Sequence, residues 1–356
     1  MKTIKIDDLL IKGSKIRPFA GHLDLTYRCN LSCAHCYCKG SERAGREWTA
    51  REWKRLIDEL WEHGCLQLVF SGGDPLIRED FPEIYSYAFD RGFLVSVMTN
   101  AVAFDAGYER LFRKRLPETV YVSLYGVTRP TYESITGVSG SFDKAMRAIK
   151  RMALLKLPVV LKTIGLRQNR DEVLDVKRFS ERLLGKRRFQ FDAFVFGRLN
   201  GDTSTFSMRL SPEEIIAIEL NDPDFRVLRR KMIVGRREAF PLEYLHHCTS
   251  WNRTFLVDPF GSMHFCQLSR GSGYPLRSHG DFARYFFGVF PRMAGARFTS
   301  DSACRRCVSR PDCLFCPGRA ELEGAHREGP VRYFCELTAA RKKSESLFLK
   351  ESLDKS

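Results

Sequence analysis

The sequence has no apolar run long enough to span a bilayer, and it has no internal repeat or low-complexity tract. Residues 1–10 mix charged and apolar side chains instead of forming the continuous apolar segment of a secretory signal. The interleaved basic and aromatic residues of an RNA-recognition motif are also missing. These absences argue against a membrane-spanning, secreted or nucleic-acid-binding protein, and we expect a cytoplasmic location.

Acidic side chains are fewer than basic ones. The chain of 356 residues has 43 Asp and Glu against 58 Lys and Arg, which gives a formal net charge of +15. The basic residues are densest at 186–188 and 226–237. Such a charge favours an anionic partner, for example an acidic peptide or an anionic cofactor, although a solvated surface from an arginine-rich proteome explains it equally well.

Cysteine, in contrast, is plentiful, with twelve in the chain. In a reducing cytosol, clustered thiols bind metals more often than they pair as disulfides. Cys29, Cys33 and Cys36 have the spacing CxxxCxxC and directly follow an apolar stretch typical of a strand. Three thiolates hold three corners of a four-iron cube and leave the fourth iron open to a small molecule. A zinc knuckle is the alternative, but zinc normally takes four ligands in two CxxC-like pairs.

Short β-rich runs alternate with amphipathic helical segments between residues 21 and 196. The predicted strands are 22–26, 66–70, 94–98, 120–124, 159–164 and 189–196, and the predicted helices are 49–63, 81–91, 106–114, 142–155 and 171–184. Thr49 and Glu52 form a capping box at the start of the first helix. Six β/α units in series require a parallel sheet, and six are too few to close an eight-stranded barrel. The prediction is an α/β fold built on a partial (β/α)6 barrel of the TIM type.

The composition changes after the barrel. A connector follows with one clear helix, which begins at Ser211 and has Pro212 in its first turn. Seven cysteines then fall between Cys248 and Cys335 in a stretch with little periodicity, so we expect metal more than a core to hold this part together. The predicted organisation is an N-terminal extension (1–20), the partial barrel (21–200), the connector (201–245), a small cysteine-rich domain (246–337) and a C-terminal tail (338–356).

A turn follows the second predicted strand, at the end of the strand where parallel sheets bind ligands. Gly72 and Gly73 allow a close approach of its backbone, and Pro75 makes it rigid. Together with the cysteine triplet, this turn resembles the motifs of the radical S-adenosylmethionine (radical SAM) superfamily. The chain has His35 where that superfamily often has an aromatic residue, and Asp74 where its GGEP motif has glutamate.

The resemblance implies a [4Fe–4S] cluster on the cysteine triplet and S-adenosylmethionine at the same edge of the barrel. The backbone of the glycine turn is expected to bind the amino group of the methionine part, and polar strand ends to contact the ribose and carboxylate. Each of these polar residues has an alternative as an ordinary strand-end hydrogen-bonding group or edge charge. The implied cofactor-binding residues are Gly72, Gly73, Asp74, Pro75, Asn100, Ser123 and Lys162.

Three further residues draw attention in this half of the chain. Asp192 is an acid in an otherwise apolar run, and it is a candidate substrate contact if it faces the barrel mouth. Cys38 and Cys65 fall outside the triplet and are expected to be ordinary buried thiols.

The C-terminal cysteines have the spacing C-x12-G-x4-C from Cys248 to Cys266, C-x2-C-x5-C-x2-C from Cys304 to Cys316, and a last Cys335. This order resembles the SPASM extension of radical SAM enzymes, with x2 in place of x3 before Cys316. The resemblance implies two auxiliary iron–sulfur clusters of the [4Fe–4S] type. Their ligands would be Cys248, Cys266 and Cys316 for the first, and Cys304, Cys307, Cys313 and Cys335 for the second.

Two questions about this array stay open. A zinc ribbon on the middle four cysteines is the alternative to the second cluster, although it leaves the other three cysteines without a role. The first cluster has three protein thiolates, so its fourth iron is either open to substrate or bound by His246, His247 or His264.

The resemblance favours an enzyme that cleaves S-adenosylmethionine to a 5'-deoxyadenosyl radical and modifies a ribosomally made precursor peptide or a protein side chain. It implies an electron donor such as a flavodoxin or ferredoxin. The triplet begins at residue 29, so peptide recognition is expected to be intrinsic or to come from a separate protein. The alternatives are a tetrapyrrole or small-molecule enzyme, a sulfatase maturase, which Gln267 after Cys266 argues against, and a non-catalytic cluster carrier.

Overall fold

The computed structural model describes residues 16–41, 45–235, 243–246, 248, 250–271 and 273–349. His247, proposed above as a cluster ligand, lies outside the described residues, as do residues 1–15 and 350–356. No helix in the described ranges is both long enough and apolar enough to cross a membrane.

One nine-stranded sheet organises the chain. Its strands are β1 (Ala20–Thr26), β2 (Gln67–Gly72), β3 (Leu94–Thr99), β4 (Thr119–Ser123), β5 (Val159–Ile164), β6 (Phe189–Asp192), β7 (Thr254–Val257), β8 (Ser262–His264) and β9 (Tyr274–Pro275). The order is β6-β5-β4-β3-β2-β1-β7-β8-β9, with β1 to β6 and β7 parallel and β8 and β9 antiparallel. The predicted α/β fold with six parallel β/α units is confirmed.

The sheet is rolled rather than flat. Its outward side chains, such as Leu23, Phe70 and Val97, join the core under the helices, and the alternate residues point to the other face. His22 on β1 and Lys162 on β5 would be about 19 Å apart in a flat sheet. Burial lowers the pKa of His22, and the charges of Lys162 and Arg270 lower it further, so these groups share one enclosed space. The inner face of β1 to β6 therefore lines a barrel lumen with polar side chains.

The helices of the barrel lie where the sequence places them, with one addition. They are α1 (Ala50–Glu62), α2 (Phe81–Asp90), α3 (Ala106–Lys114), α4 (Arg129–Thr136), α5 (Ser141–Leu154) and α6 (Val173–Leu184). The Thr49–Glu52 capping box is present at α1. Helix α4 was not expected, because its stripe of buried Tyr132, Ile135 and Thr136 spans barely two turns before Gly137 ends it.

One predicted strand boundary and the predicted number of connector helices are wrong. Strand β6 ends at Asp192 and not at residue 196, because side chains take the next backbone groups: Asp192 accepts from Phe194 N–H, and Arg209 donates to the Val195 carbonyl. The connector has two helices, α7 (Pro212–Leu220) and α8 (Pro223–Val234), instead of one. The second was missed because basic residues between 226 and 231 interrupt its apolar positions in the sequence.

The segment after the connector divides into two parts. Residues 254–294 hold β7 to β9, α9 (Asp281–Ala283), a π-helical turn (Arg284–Val289) and α10 (Phe290–Ala294). Phe255, Phe282 and Phe286 belong to the same hydrophobic core as the barrel. The expectation that metal more than a core holds residues 248–335 together is therefore wrong for this first part.

The second part has little core of its own. It contains α11 (Pro317–Leu322), followed by α12 (Arg332–Lys343) and α13 (Glu345–Leu349). Only Leu245, Phe298 and Cys304 form a separate buried cluster there among the described residues. Cys304, Cys307, Cys313 and Cys316 lie in turns and irregular segments on either side of a short 3-10 helix (Arg310–Asp312).

Candidate functional site

The cysteine triplet lies in the loop that leaves the carboxyl end of β1. The Ser32 N–H donates to the Thr136 carbonyl at 2.9 Å, and the Ala34 N–H donates to the Ile135 carbonyl at 3.0 Å. These bonds fasten the loop to the end of α4, so the short helix that was not expected supports the site. The edge of the Tyr125 ring packs against the His35 ring, with centroids 4.6 Å apart.

The three thiols of the triplet are close enough to influence one another. Burial raises the pKa of Cys29 to about 11, and the Cys36 thiolate raises it further. Burial also raises the pKa of Cys33, and both other thiolates add to the effect. None of the three forms a disulfide, and all three lie on one loop, so the donor set fits a cluster that takes three protein ligands. Binding iron there must displace the thiol protons, which the raised pKa values retain at neutral pH.

Asn100 touches this triplet directly. Its side-chain amide donates to the Asn30 Oδ1 at 2.7 Å and lies 3.5 Å from the Cys29 Sγ, at hydrogen-bond distance. Its own Oδ1 accepts from the Val102 N–H. The side chain therefore fastens the cysteine loop to the end of β3, and its predicted contact to S-adenosylmethionine stays a prediction.

The glycine turn packs on the same backbone from which the cysteine loop leaves. The Gly73 N–H donates to the Thr26 carbonyl at 2.7 Å, and the Asp74 N–H donates to the Arg28 carbonyl at 3.1 Å. Gly72 has a φ of +124°. A Cβ at Gly72 would lie 2.1 Å from the Thr26 oxygen, and one at Gly73 would lie 2.1 Å from the Arg28 oxygen. Only glycine fits at either position.

The Asp74 side chain points into the protein. Its carboxylate accepts from the Thr99 hydroxyl at 2.8 Å, the Asn100 N–H at 2.8 Å and the Leu76 N–H at 2.9 Å. Burial raises the pKa of Asp74 to about 6 despite these three donors. The side chain joins the ends of β2 and β3, so a ligand at this turn would meet its backbone and not this carboxylate.

The lumen brings together the other predicted strand-end residues. Ser123 and Lys162 are register partners on β4 and β5. The Lys162 Nζ lies 5.6 Å from the centre of the Tyr121 ring. Burial lowers the pKa of Lys162, while nearby Asp192 raises it. Partial desolvation by the surrounding protein raises the pKa of Asp192, although the residue stays accessible to solvent. Asp192 thus faces the barrel mouth, as the sequence allowed.

Sequence reasoning missed Arg270, which crosses from the cysteine-rich part into the lumen. Its Nη2 donates to the Asp24 carboxylate at 2.8 Å, and its Nη1 donates to the Tyr27 hydroxyl at 3.0 Å. Both partners of the ion pair are buried. The one signal available in the sequence was Asp24 itself, because an acid in a buried strand requires a partner.

Electrostatic effects among the C-terminal cysteines link them in two sets. Burial raises the pKa of Cys266, and the thiolates of Cys316 and Cys248 raise it further. Burial likewise raises the pKa of Cys304 to about 11, and the three other thiolates of its group add to it. The groups are Cys248, Cys266 and Cys316, and Cys304, Cys307, Cys313 and Cys335. Cys316 also lines one cavity with Cys304, Cys313 and Cys335, so the division into two ligand sets and their binding of clusters stay predictions.

Arg319 lies between the second group and the barrel mouth. It lines a small cavity together with Cys304, Cys316 and Cys335. Its guanidinium lies 5.3 Å from the centre of the Phe194 ring, and its charge lowers the pKa of Asp192 against the effect of burial. The cysteine-rich part therefore contacts the same mouth as the inner face of β6.

The remaining candidates are accounted for by their contacts. Cys38 and Cys65 are buried, as expected. The His264 Nε2 lies 3.0 Å from the Asp258 carboxylate, so that ring is already engaged. His246 packs against the Phe265 ring, with centroids 5.1 Å apart. In the described ranges, no set of three His, Cys, Asp or Glu side chains has the geometry for a single metal ion.

Comparison with known proteins agrees with this geometry. The model of the radical SAM superfamily matches residues 23–180. A PqqA peptide cyclase from Granulibacter bethesdensis is 27% identical over 326 residues, which cover 83% of this chain and 82% of the relative. An Fe-coproporphyrin III synthase from Methanosarcina barkeri is 35% identical over 150 residues, which cover 41% of this chain and 36% of the relative.

Two solved structures share the fold. Streptococcus suis SuiB bound to the precursor peptide SuiA has a TM-score of 0.65 at 12% identity, covering 89% of this chain and 76% of that one. Native anSMEcpe with bound AdoMet has a TM-score of 0.69 at 14% identity, covering 93% of this chain and 98% of that one. The cysteine triplet at the end of β1 and the glycine turn packed against it both lie within residues 23–180, where the chain has a radical SAM domain.

Proposed function

We propose that this protein modifies a ribosomally made precursor peptide or a protein side chain by radical chemistry. The observation that supports it most is the reach of the match to a peptide cyclase, which covers 83% of this chain and so extends past the barrel. The match to the tetrapyrrole enzyme is confined to 41% of the chain. Tetrapyrrole modification is therefore the second candidate.

The carboxyl edge of the barrel supplies the starting chemistry. A reduced cluster on the cysteine triplet, when bound, supplies the electron that splits S-adenosylmethionine into methionine and a 5'-deoxyadenosyl radical. Backbone groups of the turn at Gly72 and Gly73 would hold the methionine part, and Ser123 and Lys162 lie further along the same edge. Enclosure in the lumen keeps water from the reactive carbon and holds the substrate in reach.

Asp192 is the residue proposed to receive a proton from the substrate. An oxidised product forms when the substrate, after losing a hydrogen atom, gives up one electron and one proton. The Asp192 carboxylate lies at the mouth of the barrel, is solvent-accessible and has a raised pKa, which makes it a better base than an ordinary aspartate. Auxiliary iron–sulfur clusters bound by the two sets of C-terminal cysteines, as in the SPASM extension, would take the electron. The reductant for the triplet would be a flavodoxin or ferredoxin.

The test is anaerobic reconstitution with iron and sulfide, followed by reduction in the presence of S-adenosylmethionine. Candidate precursor peptides encoded beside the gene are added, and mass spectrometry follows both 5'-deoxyadenosine and the mass of the peptide. A peptide with deuterium at the reacting carbon should transfer it to 5'-deoxyadenosine. Asp192→Asn should keep that transfer and lose the oxidised peptide. Unchanged peptides, together with conversion of a porphyrin, would select the second candidate.

A further inference from the structure

Exposed apolar side chains are concentrated on two neighbouring helices. Of the twelve large hydrophobic side chains that are exposed in the described residues, four lie on α8 and two on α13. The two helices pack against each other. The exposed side chains are Val227, Leu228, Met232, Val234, Leu347 and Leu349. Helix α8, described over its whole length, has no fully buried side chain.

The same region collects positive charge from two distant stretches of sequence. Lys177 on α6 donates to the Asp224 carboxylate at the start of α8 at 2.6 Å, and residues 186–188 come shortly after the end of α6 at Leu184. The hydrogen bond from Lys177 lowers the pKa of Asp224, and the charges of Lys186 and Arg187 act in the same direction. The basic stretch 186–188 and the basic helix α8 are therefore neighbours in the fold. Lys186, Arg187 and Lys231 are exposed. We call the exposed face of α8 and α13 with these cations the basic apolar surface.

Apolar side chains at helical spacing on α8 suit a second helix. Leu228 and Met232 are four residues apart and lie on one side of α8, and Val227 and Val234 lie seven apart beside them. A partner helix would cover this face with leucine-like anchors and place acidic residues opposite the cations. Nucleic acid would use the cations but not the apolar residues. A second copy of this chain would bring like charges together.

The surface lies far from the reacting edge of the barrel. Residues 186–188 precede β6 and so lie at the amino edge of the sheet, while the cysteine triplet and the glycine turn follow β1 and β2 at the carboxyl edge. An extended chain covers about 3.3 Å per residue, so about ten residues span a distance of about 30 Å. One peptide is thus able to bind this surface through one segment and enter the lumen with another.

We propose that the basic apolar surface binds an acidic, amphipathic helical segment of the precursor peptide, separate from the residues that are modified. This inference rests on the proposed function and names the recognition element that it requires. It accounts for the positive charge of the chain and for the apolar residues that the barrel leaves outside its core.

The test uses a labelled synthetic peptide with leucine at helical spacing on one face and glutamate on the other, and a scrambled peptide of the same composition. Fluorescence anisotropy measures binding to the reconstituted full chain. We expect the Leu228→Glu/Met232→Glu double variant to bind at least about tenfold more weakly, as for the loss of interface anchors. Lys186→Glu/Arg187→Glu should weaken binding and reduce its salt dependence. Leu154→Glu is the matched control, because Leu154 is exposed on α5.

Thermal melting and the formation of 5'-deoxyadenosine without peptide should be unchanged in all these variants, since none of the residues lies in the lumen. Equal binding of the scrambled peptide, or wild-type binding by the double variant, overturns the proposal. The proposal is also overturned if the chain binds anionic phosphatidylglycerol vesicles through Leu228 and Met232 but does not bind the peptide. A dimer that the double variant abolishes would overturn it as well. If the Leu228→Glu/Met232→Glu variant modifies the precursor peptide as well as the wild type does, this surface is refuted and the proposed function stays intact.

Discussion

The barrel and the last cysteine segment organise their thiols by different physical means. In the barrel, the loop of Cys29 is held by backbone hydrogen bonds to α4 and by the Asn100 amide, on top of a large shared core. Between residues 298 and 335, all thiols except that of Cys335 on α12 lie in turns or irregular segments, near a buried cluster of only three residues. The first site is formed by the fold, whereas the second gains much of its order from what its thiols bind. Five predictions test this difference.

The largest effect is expected when the triplet is removed. Replacing Cys29, Cys33 and Cys36 together by alanine should reduce 5'-deoxyadenosine formation to the background without enzyme, because buried Cys38 is then the one thiol left in this loop and cannot hold a cluster alone. Circular dichroism should stay that of the wild type, since these residues belong to a loop. Cys65→Ala is the control and should keep turnover, because Cys65 is a buried thiol outside the triplet and outside the two C-terminal cysteine sets. Activity in the triple variant would refute the assignment of the triplet.

The next prediction compares the two regions directly. Fully loaded protein should contain about twelve irons, as three clusters of four. After chelation of the iron, hydrogen exchange should become fast in residues 300–335 and stay slow in β1 to β6. Mass spectrometry of peptic fragments measures both. Equal loss of protection in the sheet would show that the barrel also depends on its cluster.

The glycine turn should be the least tolerant point of the barrel site. Gly72→Ala should lower the free energy of unfolding by about 3–5 kcal/mol, because strain at positive φ adds to a clash with the Thr26 carbonyl. Gly64 also has positive φ but has open space around it. Gly64→Ala should therefore cost only about 1–2 kcal/mol. Urea denaturation of both variants checks the difference, and equal costs would remove the argument for a clash.

Asp74 should give the barrel a distinctive dependence on pH. Its pKa is raised to about 6 in the folded protein from an ordinary 3.8, so the folded state holds the proton more tightly. The free energy of unfolding should fall by up to about 3 kcal/mol as the pH rises from about 4 to about 6, and this contribution should then stay constant. Asp74→Asn should remove that slope, while Asp143→Asn on α5 should keep it. Denaturation at several pH values measures the slopes, and an unchanged slope in Asp74→Asn would assign it to another group.

The smallest effect concerns the Asn100 amide beside Cys29. Removing a hydrogen-bond donor from a thiolate ligand leaves more charge on the sulfur, so Asn100→Ala should make the cluster harder to reduce. A shift of up to about 59 mV to lower potential corresponds to a tenfold change for one electron. Redox titration followed by electron paramagnetic resonance gives the potential. Asn221→Ala at the exposed end of α7 is the control and should leave the potential near that of the wild type.

Much of the barrel was predictable because its signals are local. Strand periodicity, the capping box at Thr49 and the cysteine spacing each depend on residues close in sequence. What escaped prediction depends on distant partners. The Arg270–Asp24 pair joins residues 246 positions apart, and the inward direction of the Asp74 side chain follows from donors on β3. The end of β6 was missed because Arg209 takes the carbonyl of Val195.

The glycine turn and the cysteine loop share two carbonyls, those of Thr26 and Arg28. Any ligand that tightens one element therefore changes the free energy of binding at the other, and such coupling is reciprocal. The factor by which a bound cluster strengthens S-adenosylmethionine binding is the factor by which S-adenosylmethionine protects the cluster against loss. In this chain, the coupling between cofactor retention and cosubstrate affinity is one thermodynamic quantity, and the hydrogen bonds between the two loops are one route for it.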